Sequence, residues 1–347
     1  MYTVMDYLKY YRDIPFTEVS LNQLDFLICA ILVYLPLNDF KEAKSLKDFS
    51  KIALELENKD YDGMMIPKSY EVLKYLQNAK RYANMKIMNF VNLKNEKTQF
   101  GACKFLMDKK TIIAFKGTDG STIGWVENFR LLYDYPTYTQ RLSLNYLEDN
   151  IKFNDKNVYV VGHSKGGNLA MASVMELSRP LFKKVKKVYN FDGPGFLKKE
   201  FDSLKYRELL PKLVNIIPTG SVVGSLLFNK NYTVVESCEL AFNEHYPTTW
   251  GVFGEFFLEG TLSSVSKHLN ESTTIGMDNL ENEKVKEAVE MILKNIEKKY
   301  DEEFEFNIND VKNLLKNRDN IDPEVAKYLT TMLPKMFFAV TGKNMND

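Results

Sequence analysis

A serine framed by glycines is the residue of this chain best suited to chemistry. The pentapeptide Gly-His-Ser-Lys-Gly at residues 162–166 follows the apolar, β-branched run 158–161 and precedes a stretch of helix-forming residues. A strand that turns sharply at Gly-x-Ser-x-Gly and continues as a helix has the layout of a nucleophile elbow, with the serine hydroxyl at the tip of the turn. Ser164 is therefore the predicted nucleophile. The simpler interpretation is that residues 162–167 form only a tight turn.

Three histidines are candidates for the base that such a serine needs, because a neutral serine hydroxyl is a poor nucleophile. His163 adjoins the serine, and we expect its side chain to point away from it into the fold. His245 follows the last predicted strand, where a sheet of this kind returns its base to the nucleophile. His268 lies further along the chain. We therefore favour His245 and keep His268 as the alternative.

A carboxylate or a carbonyl should fix the tautomer of that base. Asp192 ends a strand predicted to stand near the elbow strand, at the edge of the sheet where active sites of this architecture assemble. The order serine, aspartate, histidine fits this arrangement. We rank Asp192 first, although an aspartate before Gly-Pro-Gly is also a good turn residue. The rival acids lie close to the base in sequence and are Glu236, Glu239 and Glu244.

A glycine-containing loop at residues 116–121 is the predicted second half of an oxyanion hole. Acyl transfer at a serine needs two hydrogen-bond donors aimed at the developing negative charge. One donor is expected from the backbone N–H of Lys165, directly after the nucleophile, and the other from Thr118 in this loop. The competing interpretation of the loop is a plain β-turn.

The elements that must position these residues follow from the hydrophobic pattern. Three short runs, 87–93, 99–106 and 111–115, are separated by polar turns, which predicts hairpin-linked strands. Helical segments are expected at 125–133 and 142–151. The later strands alternate with helices, so we predict an α/β fold with a mostly parallel sheet and helices on both faces. These later strands are predicted at 158–161, 186–191, 213–217 and 232–235.

Three regions are expected along the chain. Residues 1–84 are predicted to be a helical region packed on the core, 85–255 the α/β core, and 256–347 a C-terminal helical extension. The extension shows an apolar face at Val285, Ala288, Val289, Ile292 and Ile296, and a helix start at Asp322-Pro323. The aromatic stretch 250–258 suits an acyl-chain pocket or a lid, or is plain core.

Composition narrows the class of protein. Lys and Arg number 46 and Asp and Glu number 46, so no basic excess favours nucleic acid as a partner. We expect no metal and no cofactor.

Three widely separated cysteines, Cys29, Cys103 and Cys238, favour buried, reduced thiols. The first residues lack the pattern of a secretion signal, and no apolar run is long enough for a transmembrane segment, so a cytoplasmic location is expected.

Five blocks of the sequence resemble bacterial α/β-hydrolase-like proteins of uncharacterised function, which are distantly similar to the fungal-type class 3 lipases. The resemblance implies an α/β-hydrolase fold and a serine esterase or lipase activity, with Ser164 as nucleophile, His245 as base and Thr118 at the oxyanion-loop position. The matching blocks are residues 114–119 with 124–129, 161–170, 190–196, 217–218 with 221–224, and His245 with Trp250.

Two positions depart from that pattern. Lys116 stands where the family usually has arginine, which removes a planar, bidentate donor. Related lipases carry the acid after the strand that here ends at Pro218, but this chain has Thr-Gly-Ser at 219–221. The leading hypothesis is a serine hydrolase that acts on a small-molecule acyl ester, with lipid-like esters among the candidate substrates. The alternatives are a degenerate hydrolase that serves as a binding or interaction protein, and a thioesterase or amidase.

Overall fold

The centre of the molecule is an eight-stranded sheet, whose strands lie side by side in the order in which they occur along the chain. A computed structural model describes residues 1–57, 65–96, 98–119, 121–278, 283–287, 289–290, 323 and 325–327. The strands of this sheet are β1 (Lys44–Ser45), β2 (Lys86–Asn95), β3 (Thr98–Met107), β4 (Lys110–Phe115), β5 (Val158–His163), β6 (Val185–Phe191), β7 (Leu213–Pro218) and β8 (Tyr232–Val235).

The first half of the sheet, from β1 to β4, is antiparallel. Met107 pairs with Lys110, and the two residues between them, Asp108 and Lys109, have φ angles of 47° and 59°. Positive φ at both positions of a two-residue loop matches the twist of the flanking strands. The three hairpin-linked strands predicted from the sequence are present, and the short strand β1 extends them.

From β4 to β8 each strand runs parallel to its neighbour. Helices make the crossovers from β4 to β7, whereas the segment 219–231 that joins β7 to β8 contains no helix. A second, two-stranded sheet follows, formed by β9 (Val252–Phe253) and β10 (Phe256–Phe257). The α-helices are α1 (Val4–Tyr11), α2 (Gln23–Leu32), α3 (Leu46–Glu55), α4 (Met65–Leu76), α5 (Thr122–Arg130), α6 (Tyr138–Asn150), α7 (Lys165–Glu176), α8 (Arg179–Phe182), α9 (Lys198–Phe201), α10 (Leu204–Leu209) and α11 (Ser264–Asp278).

Helix α6 begins at Tyr138 rather than at residue 142, where the hydrophobic pattern predicts its start. Thr137 caps the helix, and its hydroxyl accepts a hydrogen bond from the Gln140 N–H at 3.3 Å. The Gln140 side chain in turn accepts from the Thr137 N–H at 2.8 Å. This reciprocal capping starts the helix on polar residues that the apolar periodicity does not reveal.

Helices cover both faces of the large sheet. On one face α1 to α4 share a core with the strands that includes Leu27, Ile112 and Val161. On the other face α6, α7 and α10 pack on residues such as Val160 through Leu147 and Leu169. Burial on both faces explains why the parallel strands β4 and β5 are mostly apolar in sequence.

The N-terminal helices are joined to the sheet through α2, in which every residue from Leu24 to Leu32 is buried. One of them, Asp25, carries a charge, and the Arg81 guanidinium binds its carboxylate at 2.7 Å. The hydroxyls of Tyr7 and Tyr82 also donate to it, at 3.1 and 2.7 Å. A carboxylate can be buried here because its oxygens are fully supplied with donors.

The chain after β8 differs from its sequence-based description. The region predicted as helical from residue 256 begins with the strand β10, which turns back on β9 at Gly254, where φ is 62°. Trp250 and Phe257 are buried against Phe191, so these two members of the aromatic stretch are core. The predicted helical face falls partly outside the described residues, as do Asp322 and Glu324. Those of its members that lie outside are Ala288, Ile292 and Ile296.

Two of the three cysteines, Cys29 and Cys103, are buried as expected, but Cys238 is exposed. The expectation for Cys238 is therefore wrong, because the residues just after β8 run along the surface rather than into the core. Within the described part of the chain, no helix combines the length and the apolar character that crossing a bilayer requires.

Candidate active site

Ser164 occupies a sharp turn between β5 and α7, with φ 57° and ψ −135°. A non-glycine residue with positive φ is strained, and such strain at the tip of a strand–turn–helix unit pushes the side chain outward. The strand and the helix approach so closely that a Cβ added at Gly162 would lie 2.0 Å from the Gly166 carbonyl oxygen. This turn, set on a mostly parallel sheet between helical layers, makes the fold an α/β-hydrolase fold.

His245 and Asp192 meet beside this turn. Asp192 follows β6 directly, is fully buried, and its Oδ2 lies 2.6 Å from His245 Nδ1. The backbone N–H of Ser164 donates to the carbonyl of Phe191 at 2.9 Å, which places the aspartate next to the elbow. An ionised carboxylate only accepts hydrogen bonds, so Nδ1 carries the proton and Nε2 is left as the basic nitrogen.

The second oxygen of Asp192 is held by the segment after β7. The Ser221 hydroxyl donates to Oδ1, and the Gly224 N–H donates to the same oxygen at 3.0 Å. Sequence reasoning noted that residues 219–221 lack a carboxylate but did not foresee that Ser221 would bind the acid on the preceding strand. The signal was present in the family block that contains Ser221 and Gly224.

His163 is buried behind the elbow and faces away from solvent. Its Nε2 lies 2.8 Å from the backbone carbonyl oxygen of His245 and its Nδ1 lies 3.0 Å from the Tyr34 hydroxyl. Because a carbonyl only accepts, Nε2 carries the proton and Nδ1 accepts from Tyr34. Burial lowers the pKa of His163 well below its usual range, and the nearby His245 acts in the same direction. A neutral His163 therefore holds the backbone of His245.

The rival residues lie elsewhere. The Glu244 carboxylate accepts a hydrogen bond from the Gly220 N–H at 2.6 Å. Glu236 faces Gly260, and Glu239 is exposed. His268 is exposed on α11.

The loop after β4 lies directly against the elbow. A Cβ added at Gly117 would be 3.1 Å from the Ser164 Cβ and 2.6 Å from the His163 carbonyl oxygen, so a side chain at this position would not fit. Thr118 is the next residue, and its Oγ1 accepts a hydrogen bond from Asn128 Nδ2 at 2.9 Å. The hydroxyl also lies 3.2 Å from Asn128 Oδ1, to which it can donate, so its proton must turn away from that oxygen to reach a substrate oxygen.

Lys116, the departure from the family pattern, is buried at the start of this loop. Its ammonium donates to Asn92 Oδ1 at 3.1 Å, and burial lowers its pKa. Burial acts to raise the pKa of the nearby Asp119, but Lys116, Ser121 and Lys94 together keep that pKa below its usual range. Lys116 and Asp119 thus tie the loop to β2 at two points, through Asn92 and Lys94.

Lys165 contributes more than the backbone donor expected from its position. It is the first residue of α7, so its N–H has no carbonyl one turn earlier in the helix to bind. Its side chain is also buried, and the ammonium donates to both oxygens of Gln99. Burial lowers the pKa of this amine to about 8, although Glu127 and Asp119 act to raise it. Sequence reasoning did not single out Gln99, which carries no motif signal.

Among the described residues, no group of three or more His, Cys, Asp or Glu side chains is arranged to hold a metal ion. The arrangement can instead supply a nucleophile, a base with a fixed tautomer, and two donors for an oxyanion.

Comparison with known proteins places the chain in a family. No protein of curated function matches it. Solved structures that match include the crystal structure of M37 lipase, at 14% identity over 91% of this chain and 97% of that chain, with a TM-score of 0.39. The fold assignment rests on the sheet and the elbow described above rather than on that likeness. Residues 76–294, more than half of the chain, match the family described as Mbeg1-like. The chain therefore belongs to the Mbeg1-like family of lipase-like proteins.

Proposed function

We propose that this protein is a serine hydrolase that cleaves an acyl ester through an acyl-enzyme on Ser164. The observation that supports this most directly is the 2.6 Å contact between His245 Nδ1 and Asp192 Oδ2, formed at the edge of the sheet where Ser164 stands in its strained turn. A histidine oriented by a buried carboxylate, beside a half-buried serine at the tip of a turn, is the arrangement that activates a hydroxyl.

The first half of the proposed reaction forms the acyl-enzyme. The Ser164 oxygen attacks the ester carbonyl carbon while its proton passes to Nε2 of His245. The resulting imidazolium is stabilised by Asp192, which remains ionised. When the tetrahedral intermediate collapses, the bond to the leaving alkoxide breaks and His245 returns the proton to that oxygen.

The second half hydrolyses the acyl-enzyme. His245 takes a proton from a water molecule, whose oxygen attacks the acyl carbon, and the proton then returns to the departing Ser164 oxygen. In both halves the negative oxygen of the intermediate is bound by the Lys165 N–H and by Thr118. The hydrogen bonds from these donors become stronger as negative charge develops on the substrate oxygen, and they therefore accelerate the chemical step.

The principal alternative is a degenerate hydrolase that only binds its ligand. That hypothesis draws on the missing carboxylate after Pro218. The hydrogen bonds from Ser221 and Gly224 to Asp192 favour the hydrolase hypothesis over the degenerate one. They show that the segment after β7, although it lacks a carboxylate, binds the carboxylate that follows β6. A thioesterase or an amidase would use the same residues, and differs only in the leaving group.

A fluorophosphonate probe tests the proposal, since it reacts only with an activated serine. The wild-type protein should be labelled, and Ser164→Ala should not. Ser173→Ala is the matched control, because Ser173 is buried in the same helix and its hydroxyl binds only the backbone carbonyl of Ala170 among its described contacts. An unlabelled wild-type protein, or equal labelling of Ser164→Ala, would contradict the enzyme.

The class of substrate is tested with p-nitrophenyl esters of increasing acyl length, alongside a matched thioester and an anilide. We expect turnover of a small-molecule acyl ester, and a lipid-like substrate would show as a preference for longer chains. Faster turnover of the thioester or anilide would assign the protein to one of the related activities instead.

A further inference from the structure

The side chain of Lys165 connects the two halves of the proposed oxyanion hole. Its Nζ donates to Gln99 Oε1 at 2.7 Å and to the Gln99 backbone carbonyl at 3.0 Å. Gln99 lies on β3, and its Nε2 donates to the Gly117 carbonyl oxygen at 3.1 Å. A continuous set of hydrogen bonds therefore runs from the residue after the nucleophile to the loop that carries Thr118.

The orientation of the Gln99 amide follows from the chemistry of its partners. Lys165 can only donate and the Gly117 carbonyl can only accept, so Oε1 must face the lysine and Nε2 must face the loop. Rotating the amide by half a turn would set donor against donor and acceptor against acceptor. The set of bonds thus has one direction, from the ammonium through the amide to the loop.

These groups are shielded from water. Gln99 is 1% exposed and Lys165 is 2% exposed. A buried polar group that loses its partner destabilises the fold, more so when it is charged, so the three groups have no low-energy alternative to binding one another. A buried lysine whose two acceptors are uncharged oxygens of one glutamine is expensive to retain for stability alone.

Gly117 is the residue of the loop that packs against the nucleophile. The same residue faces the Ser164 Cβ and precedes Thr118 directly. Gly124 of α5 packs on the opposite side, where an added Cβ would meet the Thr118 methyl at 2.8 Å and Gln99 Oε1 at 3.2 Å. A rotation of the peptide at Gly117 would therefore move Thr118 relative to the elbow.

The geometry points to Lys165 and Gln99 as positioning residues that clamp the 117–118 loop to the nucleophile elbow and thereby set the spacing of the two oxyanion donors. Lys165 then acts twice, through its backbone N–H toward the substrate and through its side chain on the loop. This inference rests on the proposed hydrolase function.

Two substitutions at Gln99 test the clamp. Gln99→Met keeps the length of the side chain and removes its two hydrogen bonds, to Lys165 Nζ and to the Gly117 carbonyl, while the backbone carbonyl of residue 99 can still accept from Lys165. Gln99→Glu keeps an acceptor for Lys165, and strengthens it by a charge, but an ionised carboxylate cannot donate to Gly117. The readouts are the rate constant for fluorophosphonate labelling of Ser164, kcat and KM for a p-nitrophenyl ester, and the thermal midpoint Tm.

We expect both variants to be labelled about 10- to 100-fold more slowly than wild type, because small misplacements of catalytic groups cost factors of this size. The loss should lie in kcat, with KM nearly unchanged, since an oxyanion hole acts on the transition state. Lys104→Met is the matched control. Lys104 lies on β3, is buried as Lys165 is, and binds the Asn150 carbonyl at 2.8 Å. Its replacement should lower Tm without slowing labelling.

Labelling of both Gln99 variants at the wild-type rate would overturn the clamp while leaving the hydrolase intact. A wild-type rate in Gln99→Glu with a slow Gln99→Met would also overturn it, because pairing with Lys165 would then be sufficient without the bond to Gly117. If Gln99→Met is unfolded by its Tm, Gln99→Glu alone decides between these outcomes. Failure of the wild-type protein to label would contradict the hydrolase itself.

Discussion

His245 and Asp192 are 53 positions apart in the chain, and their side chains meet at 2.6 Å between Nδ1 and Oδ2. The aspartate is held in place independently of the histidine, since its other oxygen is bound by Ser221 and by the Gly224 N–H. A histidine that binds such a carboxylate is restricted to one tautomer and one ring orientation. This pair is therefore the first target for mutation.

Asp192→Asn should lower kcat by about 10³- to 10⁴-fold, because an amide can present its N–H to the imidazole and stabilise the wrong tautomer. The fold should persist, since the amide oxygen can still accept from Gly224. Steady-state kinetics on a p-nitrophenyl ester measure the effect. Glu239→Gln, which changes an exposed rival acid, is the control and should keep a rate near that of the wild type. A wild-type rate in Asp192→Asn would remove the aspartate from the mechanism.

His245→Ala should reduce turnover by about 10³-fold or more, as expected for the loss of a general base. His268→Ala should stay near wild type, because His268 is exposed on α11. The measurement is kcat/KM for both variants under the same conditions. Equal losses, or a loss confined to His268→Ala, would reverse the assignment of the base.

Thr118→Val tests whether the threonine hydroxyl is an oxyanion donor. If the hydroxyl donates, kcat should fall by roughly 10²-fold, while Thr118→Ser should retain most of the activity. Asn128→Asp should also slow turnover, because a charged carboxylate would hold the hydroxyl proton more strongly than the amide oxygen of Asn128 does. An unchanged rate in Thr118→Val would leave only the backbone of this loop as donor.

Protein stability should fall in acid partly through His163. The folded state keeps this ring neutral, with its pKa depressed below the usual 6.5, whereas the unfolded chain takes up a proton near that value. The unfolded state therefore binds more protons than the folded state as pH falls below about 6.5. Each pH unit below that value lowers the free energy of unfolding by up to about 1.4 kcal/mol.

Denaturant unfolding between pH 7 and 5 measures that slope. In His163→Gln the amide can still donate to the His245 carbonyl. The free energy of unfolding should depend less steeply on pH in this variant, by up to the slope that one bound proton gives. Identical slopes in the two proteins would show that the ring of His163 takes up its proton in the folded state.

The charge of Lys165 should give the reaction an alkaline limit. Its pKa is lowered to about 8, so the folded protein loses this positive charge as pH rises through that value. The charged groups that act on it are Glu127 of α5, with Asp119 and Lys116 of the loop. Because a cation next to the elbow favours the oxyanion, the labelling rate constant should decline above pH 8.

The comparison that tests this is the shape of the pH profile in wild type and in Lys165→Met. The variant should be slower at neutral pH and should lack the decline above pH 8. A decline of the same size and midpoint in both proteins would assign it to another group.

The local elements, and the turn that carries the candidate nucleophile, could be predicted from the sequence alone. Alternating and continuous apolar runs place β2 to β8 close to their observed positions, because burial on one face or two imposes those patterns residue by residue. Ser164 could be found since the strand, the glycines and the helix that make its turn are contiguous. The capping of α6 by Thr137 and the hairpin of β9 and β10 were missed, since polar caps and short strands carry little hydrophobic periodicity.

The contacts between side chains that are distant in sequence could be read only from the folded chain. Asp192 could be ranked above Glu236, Glu239 and Glu244 from the expected strand order, but its contact with His245 depends on the register of β6 and β7 and on the path of the segment after β8. The bonds of Ser221 to Asp192, and of Lys165 through Gln99 to Gly117, link separate strands and loops. Such pairings leave no mark in local sequence, because they are set by the alignment of backbones that the hydrophobic core holds together.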